Sequence, residues 1–179
     1  MDLSYEYGAC GKAYSVRISV CGARKGKDIN MEIEKKFTVR ELPSDLERYP
    51  SHLIQQAYLN TDPVIRIRKE DDSYYLTYKG KGLLAREEYN LPLTAKAYEH
   101  LLPKADGKVI SKRRYLIPLE PYTIELDVFH APFAPLVIAE VEFPTTQEAL
   151  AFQPPEWFLE DVTMDPAYHN STLSALKPT

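Results

Sequence analysis

Three residues at alternate positions, Glu32, Glu34 and Lys36, carry the most unusual chemistry of this chain. Side chains at i, i+2 and i+4 of a strand point to one face, so the run Glu32-Ile33-Glu34-Lys35-Lys36-Phe37 presents one charged side. Ile33, Phe37 and Val39 share the other side with Lys35. Two carboxylates about 6 to 7 Å apart along a strand repel unless something cationic lies over them. Lys36 is a single positive charge, and the shortage points to a metal ion. The same spacing recurs. Glu125 with Asp127 and Glu140 with Glu142 are acidic pairs, whereas Arg66 with Arg68 and Lys112 with Arg114 are basic ones. A solvated sheet face mixes its signs, because like charges side by side are unfavourable. Segregation strand by strand predicts faces that converge on a closed interior, where opposite walls neutralise each other and shared ligands complete the balance. An acidic wall with only oxygen donors suits Mg²⁺ or Mn²⁺. A wall of Arg and Lys suits a row of phosphates, with the guanidinium fork matching phosphate oxygens. Metal and polyphosphate together imply phosphoryl transfer to water.

Strands must carry these side chains. Alternation predicts them over 54–59, 64–68, 74–80, 85–91, 109–117, 122–129 and 136–143, besides the first. Helix signals stand at 42–49, 94–102 (ended by Pro103) and 145–152, and 154–159 reads as a final packing segment with Trp157 as a lid on the core. A barrel with a polar inside and an apolar outside accommodates the pattern, provided that helices and tail cover its outer face.

The 179 residues, 44% of them hydrophobic, are enough for one domain with a real core and too few for two. A net charge of -4 argues against nonspecific binding to nucleic acid, so any anion site must be local. Cys10 and Cys21 read as free thiols of a reducing compartment. No apolar run approaches the roughly 20 residues of a membrane helix, and the expected setting is the cytoplasm. Residues 1–30 read as a poorly ordered extension in which 14–20 alternates like an added strand. Met31 stands just before the charged motif, so a start annotated upstream of the true one is the alternative. Lys12 after Gly11 is no phosphate-binding loop, because Glu6 stands where the first glycine belongs. His52, His100, His130 and His169 lack ligand spacing and read as solvated or capping.

The ordered set resembles the CYTH domain of the triphosphate tunnel metalloenzyme superfamily over residues 31–175. Its Glu-x-Glu-x-Lys hallmark is matched by Glu32, Glu34 and Lys36. Ile65-Arg66-Ile67-Arg68, Leu76-Thr77-Tyr78-Lys79-Gly80, Lys112-Arg113-Arg114-Tyr115, Glu125-Leu126-Asp127 and Glu140-Val141-Glu142-Phe143 follow in the family's order. The resemblance implies an α+β fold built on an eight-stranded antiparallel β-barrel, a tunnel with a charged interior and helices packed outside. It implies divalent-metal-dependent hydrolysis of a triphosphate, with a small-molecule polyphosphate as partner. Position by position, Glu32, Glu34, Asp127, Glu140 and Glu142 would hold metal, with Glu125 as a further contributor. Lys36, Arg66, Arg68, Lys79, Arg86, Lys112 and Arg114 would hold phosphate. One departure stands out: where the family often has Arg-x-Glu-x-Glu, this chain has Arg86-Glu87-Glu88-Tyr89-Asn90, without the last carboxylate.

The resemblance further suggests Tyr58 and Lys79 as the pair acting on the attacking water, with a carboxylate base as the alternative. The compact length and the Glu-Ile-Glu-Lys-Lys-Phe form resemble most the small bacterial members that act on inorganic triphosphate. Adenylate cyclase and thiamine or nucleoside triphosphatase activity belong to the same fold, and a noncatalytic polyphosphate-binding module is the alternative from another class. Intact acidic pairs argue against that module, since pure anion binding gains nothing from repelling carboxylates.

Overall fold

A computed structural model of the protein describes residues 31–175. The readings placed on residues 1–30, including the added strand, both cysteines and the alternative start, lie outside the described residues. Nine strands form one antiparallel sheet: β1 (Met31–Val39), β2 (Ser51–Thr61), β3 (Val64–Glu70), β4 (Ser73–Lys79), β5 (Ala85–Pro92), β6 (Asp106–Leu119), β7 (Tyr122–Phe129), β8 (Val137–Glu142) and β9 (Phe158–Asp161). The order β5-β4-β3-β2-β6-β7-β8-β1 closes on itself, because Met31, Glu32 and Ile33 pair with Glu87, Arg86 and Ala85. The result is a closed eight-stranded antiparallel barrel, which leaves no long unpaired edge. β1 serves two neighbours on one side. Its first residues pair with β5, whereas Phe37 and Val39 pair with Asp161 and Phe158 of β9.

The alternation of β1 sends Glu34 and Lys36 inward and leaves Phe37 on the outer face, where it joins Tyr115, Ile117, Leu126, Val141 and Phe158 in an apolar cluster. α2 (Thr146–Ala151) and a 3₁₀ turn at Leu46–Arg48 cover this cluster through Ala149 and Leu46. Trp157 packs against it and meets the Phe158 ring edge-on at 4.6 Å, in keeping with a lid on the core. On another side, α1 (Ala95–Leu101) lays Tyr98 over Ala57 and Ile67. Both helices start where their caps predict. Thr94 accepts from the Ala97 amide at 3.1 Å and Thr145 from the Glu148 amide at 3.2 Å.

The lumen is apolar toward one end. Tyr58, Ile110, Phe129 and Ile138 share the strand parity of the inward charged residues, and Leu173 of α3 (Asn170–Ala175) joins them. α3 crosses the start of β6 closely enough that a Cβ on Gly107 would lie 2.3 Å from the Ser174 carbonyl oxygen. The φ of +70° at Gly107 suits glycine for the same reason.

Three sequence expectations are met only in part. Only Leu46–Arg48 of 42–49 is helical, because Asp45 before it adopts a left-handed conformation at φ 61°. α1 ends at Leu101, before Pro103 as expected, but the chain does not leave the helical path there: a 3₁₀ turn follows at Leu102–Lys104, where proline's missing N–H falls in the first turn. The segment 154–159 contains the start of a ninth strand, which fills the edge of β1 that β5 leaves open. Among the described residues, no helix is long and apolar enough to cross a membrane.

Candidate active site

The inward faces enclose a cavity of about 310 Å³. Glu32, Glu34 and Glu142 meet on its wall, each offering a carboxylate oxygen within 4.8 Å of the others. Pairing sets this up, since Glu34 on β1 lies directly across from Glu142 on β8. Two like charges 4.8 Å apart repel by about 3 kcal/mol at an effective dielectric of about 20, so three of them need cations. Arg86 supplies one, at 3.0 Å from Glu32 and 3.1 Å from Glu34. Lys79 reaches Glu32 at 2.6 Å and Lys36 reaches Glu34 at 3.0 Å. Glu142 makes no ion pair among the described residues. Burial, with Glu125, Glu32 and Glu34 nearby, pushes its carboxyl up to about 7. Oxygen-only donors with one uncompensated charge fit a hard divalent cation.

The structure does not bring the other two expected metal ligands to this cluster. Asp127 is fully buried and turned to Lys112 and to Arg114, the latter through bonds of 2.7 Å. Glu140 is bonded to Lys36 and, at 2.5 Å, to Arg114. Glu125 lines the cavity and also pairs with Arg114. Burial works against the Lys36 and Arg114 charges, but Glu140 and Glu34 outweigh it for Lys36, and Asp127 and Glu125 for Arg114; both cations are held above their usual range. Lys112 differs: burial pulls it down to about 8 despite Asp127 against it.

Arg66 and Arg68 on β3 form the opposite feature. Arg66 is buried, donates to the Thr77 hydroxyl at 3.0 Å and makes no ion pair among the described residues. Arg68 donates to Gln56 at 3.3 Å and has Glu70 at 3.6 Å. Both Nε atoms are buried without a hydrogen-bond partner. Burial, with Arg66 beside it, lowers Arg68 to about 10. Leaving buried donors unmet costs about 1–3 kcal/mol each, which an anion in the cavity would recover. All seven residues expected to hold phosphate face the interior, though Lys112 sits behind the cavity wall, against Asp127 and the Phe129 ring.

Tyr58 and Lys79 both line the cavity, and no hydrogen bond joins them among the described residues. The Tyr58 hydroxyl accepts from Gln56 at 3.2 Å, and burial raises its pKa. Lys79 stands between Glu32 and Glu88, the latter at 2.7 Å; burial and then Arg66 lower its pKa.

Sequence reasoning left out of the site several residues that the structure puts in it. Thr77 and Gln56 share a strand face with Lys79 and Tyr58, so parity alone could have included them. His169, Asn170 and Ser171 could not be found that way, because they reach the cavity only when the tail returns across β1. Val162 donates to the Lys36 carbonyl at 2.9 Å, and the Lys36 amide donates to the Thr163 hydroxyl at 3.0 Å. His169 is accordingly buried, facing the Thr163 carbonyl at 3.4 Å; of the two readings, solvated or capping, it fits the second, since its amide caps the Pro166–Tyr168 turn.

Comparison with known proteins agrees with this geometry. A family model described as the CYTH domain matches residues 30–161. The chain is 38% identical to an inorganic triphosphatase of Nitrosomonas europaea over 152 residues, 82% of this chain and 99% of that protein. It is also 38% identical to one of Acetivibrio thermocellus over 151 residues, 79% of this chain and 92% of that protein. A crystal structure of an inorganic triphosphatase superposes with a TM-score of 0.64 at 35% identity, covering 83% of this chain and 97% of that one. A putative adenylate cyclase from Bacillus halodurans shares the fold alone, at 15% identity and a TM-score of 0.53 over 68% of this chain and 85% of that one.

Proposed function

The chain belongs to the CYTH family, and on that premise we propose that it hydrolyses inorganic triphosphate to orthophosphate and diphosphate with the help of Mg²⁺ or Mn²⁺. The observation that carries this reading is a pair of complementary deficits in one enclosed lumen. Glu142, beside Glu32 and Glu34, makes no ion pair among the described residues; nor does Arg66, and the Nε atoms of Arg66 and Arg68 are buried without a partner. A metal–triphosphate complex supplies both.

Glu32, Glu34 and Glu142 would hold the metal, which when bound withdraws charge from phosphate oxygens as a Lewis acid. The remaining work falls to the cations. Arg66, Arg68 and Arg86 bind the phosphate chain, while Lys36 and Lys79, held beside the carboxylates, face phosphate oxygens next to the acidic cluster. Fixed in a buried site, these charges offset the negative charge that shifts onto the leaving diphosphate as the terminal P–O bond breaks. To Asp127 and Glu140, expected as metal ligands, we assign a positioning part as well. They hold Arg114, Lys112 and Lys36 in place, so the lumen keeps its cations ordered. Tyr58, whose phenol burial holds above its usual pKa, would act with Lys79 on the attacking water by hydrogen bonding. The identity of both curated relatives favours tripolyphosphate over nucleotide or thiamine esters. Initial rates on tripolyphosphate, ATP and thiamine triphosphate, each with Mg²⁺ and with Mn²⁺, test this. Tripolyphosphate is expected to be turned over fastest, and a faster rate on either ester would overturn the substrate assignment.

A further inference from the structure

Arg66 is a buried cation of the lumen whose hydrogen-bond partner is a neutral hydroxyl and which makes no ion pair among the described residues. Its Nη2 donates to the Thr77 hydroxyl at 3.0 Å, the Thr77 hydroxyl donates to the Asn90 Oδ1 at 2.6 Å, and the Asn90 Nδ2 donates to Glu88 at 2.8 Å. Register builds the chain, since Thr77 on β4 lies across from Arg66 on one side and from Asn90 on the other. Its direction follows from its ends. A guanidinium can only donate and a carboxylate can only accept, so the hydroxyl proton must point to Asn90 and the amide nitrogen to Glu88. Thr77 is fully buried, so it has no water to turn to. The relay holds Arg66 at a fixed place through neutral groups. Among the described residues Arg66 makes no ion pair, and its Nε is buried without a hydrogen-bond partner.

We infer that Thr77 and Asn90 are positioning residues for anion binding: by tethering Arg66 through a hydroxyl and an amide in place of a carboxylate, they keep its charge available to the polyphosphate. This rests on the triphosphatase reading and specifies how the lumen sets its affinity. Without the hydroxyl, Arg66 loses its tether and turns toward the nearest carboxylate. With a carboxylate at position 90, the relay acquires the negative charge it otherwise lacks.

The test is binding of inorganic tripolyphosphate by calorimetry with metal removed, together with steady-state kinetics in Mg²⁺. Thr77→Val is expected to weaken binding about tenfold and to raise KM more than it lowers kcat, as loss of one charged hydrogen bond in a buried site does. Thr77→Ser, which restores the hydroxyl, is expected to return affinity to within about threefold of wild type, a margin that is small against a charged hydrogen bond. In an Arg66→Ala background the effect of Thr77→Val is expected to vanish, since the two residues act as one unit. Should Thr77→Val not fold, Asn90→Ala interrupts the same relay from its solvent-facing end and carries the same expectation. Wild-type binding with Thr77→Val and Asn90→Ala indistinguishable from it, or an undiminished loss in the Arg66→Ala background, would overturn the inference and leave the triphosphatase reading standing. A wild-type protein that binds no tripolyphosphate would overturn both.

Discussion

At the residue scale, the site is a problem of unmatched charge. Glu34 touches Lys36 and Arg86 and shares the acidic cluster with Glu32 and Glu142. Glu34→Gln keeps the shape and removes one metal-holding charge. Phosphate release is expected to fall by roughly 10²-fold or more, with the far-ultraviolet spectrum unchanged; release at the wild-type rate would remove Glu34 from the metal site. On the basic side, burial brings Arg68 down to about 10. Substrate binding needs its charge, which a guanidinium still carries at neutral pH, so Arg68→Ala is expected to weaken tripolyphosphate binding about tenfold. Calorimetric affinities of wild type and variant decide it, and an unchanged value would remove Arg68 from the phosphate wall. Most of these residues were legible in the sequence because strand parity is strict: Glu32, Glu34, Lys36, Arg66 and Arg68 could face only one way. Asp127 and Glu140 show the limit. Parity sends them inward, but which charge each meets depends on register, and Asp127 lies across from Arg114.

At the element scale, the tail was the illegible part. Its short segments carry no long periodic pattern, and β9 exists only because β1 has an edge to spare. α3 likewise gains its place from Leu173, which packs with Tyr58, Ile110, Phe129 and Ile138. Leu173→Ala is expected to destabilise the fold by about 2–3 kcal/mol in urea titration, and an unchanged midpoint would mean that α3 is not closing the lumen. His169 lies in the same tail. Burial, followed by Lys36, lowers its pKa from 6.5. A depressed histidine favours the folded state above 6.5 and loses that contribution as pH falls through the folded pKa, because the unfolded chain takes up the proton first. Glu142, pushed up to about 7, acts with the opposite sign over the same window, so the comparison is between variants. His169→Gln should lose less thermal stability than wild type between pH 7 and pH 5. An equal or larger loss would contradict the buried, uncharged ring.

For the whole molecule, closure is what makes the charges useful. A solvated sheet would screen the same side chains, whereas eight strands joined by the β1–β5 pairing hold them around a lumen of about 310 Å³. The barrel could be anticipated from the segregation of sign by strand, because like-charged faces are tolerable only where opposite walls face each other. A ligand that completes this balance must stabilise the fold. Tripolyphosphate with Mg²⁺ at 100 times its dissociation constant is expected to add about 2.7 kcal/mol, or roughly 5–10 °C in melting temperature for a chain of this size.

Release of orthophosphate from tripolyphosphate, followed as the protein is stripped of divalent ions and then resupplied with Mg²⁺ or Mn²⁺, is the most direct measurement. One orthophosphate per tripolyphosphate, absent after stripping and restored by either ion, is the predicted result. Release that persists without metal, or none with metal present, would contradict a lumen in which cations and a condensed phosphate bridge the charged walls.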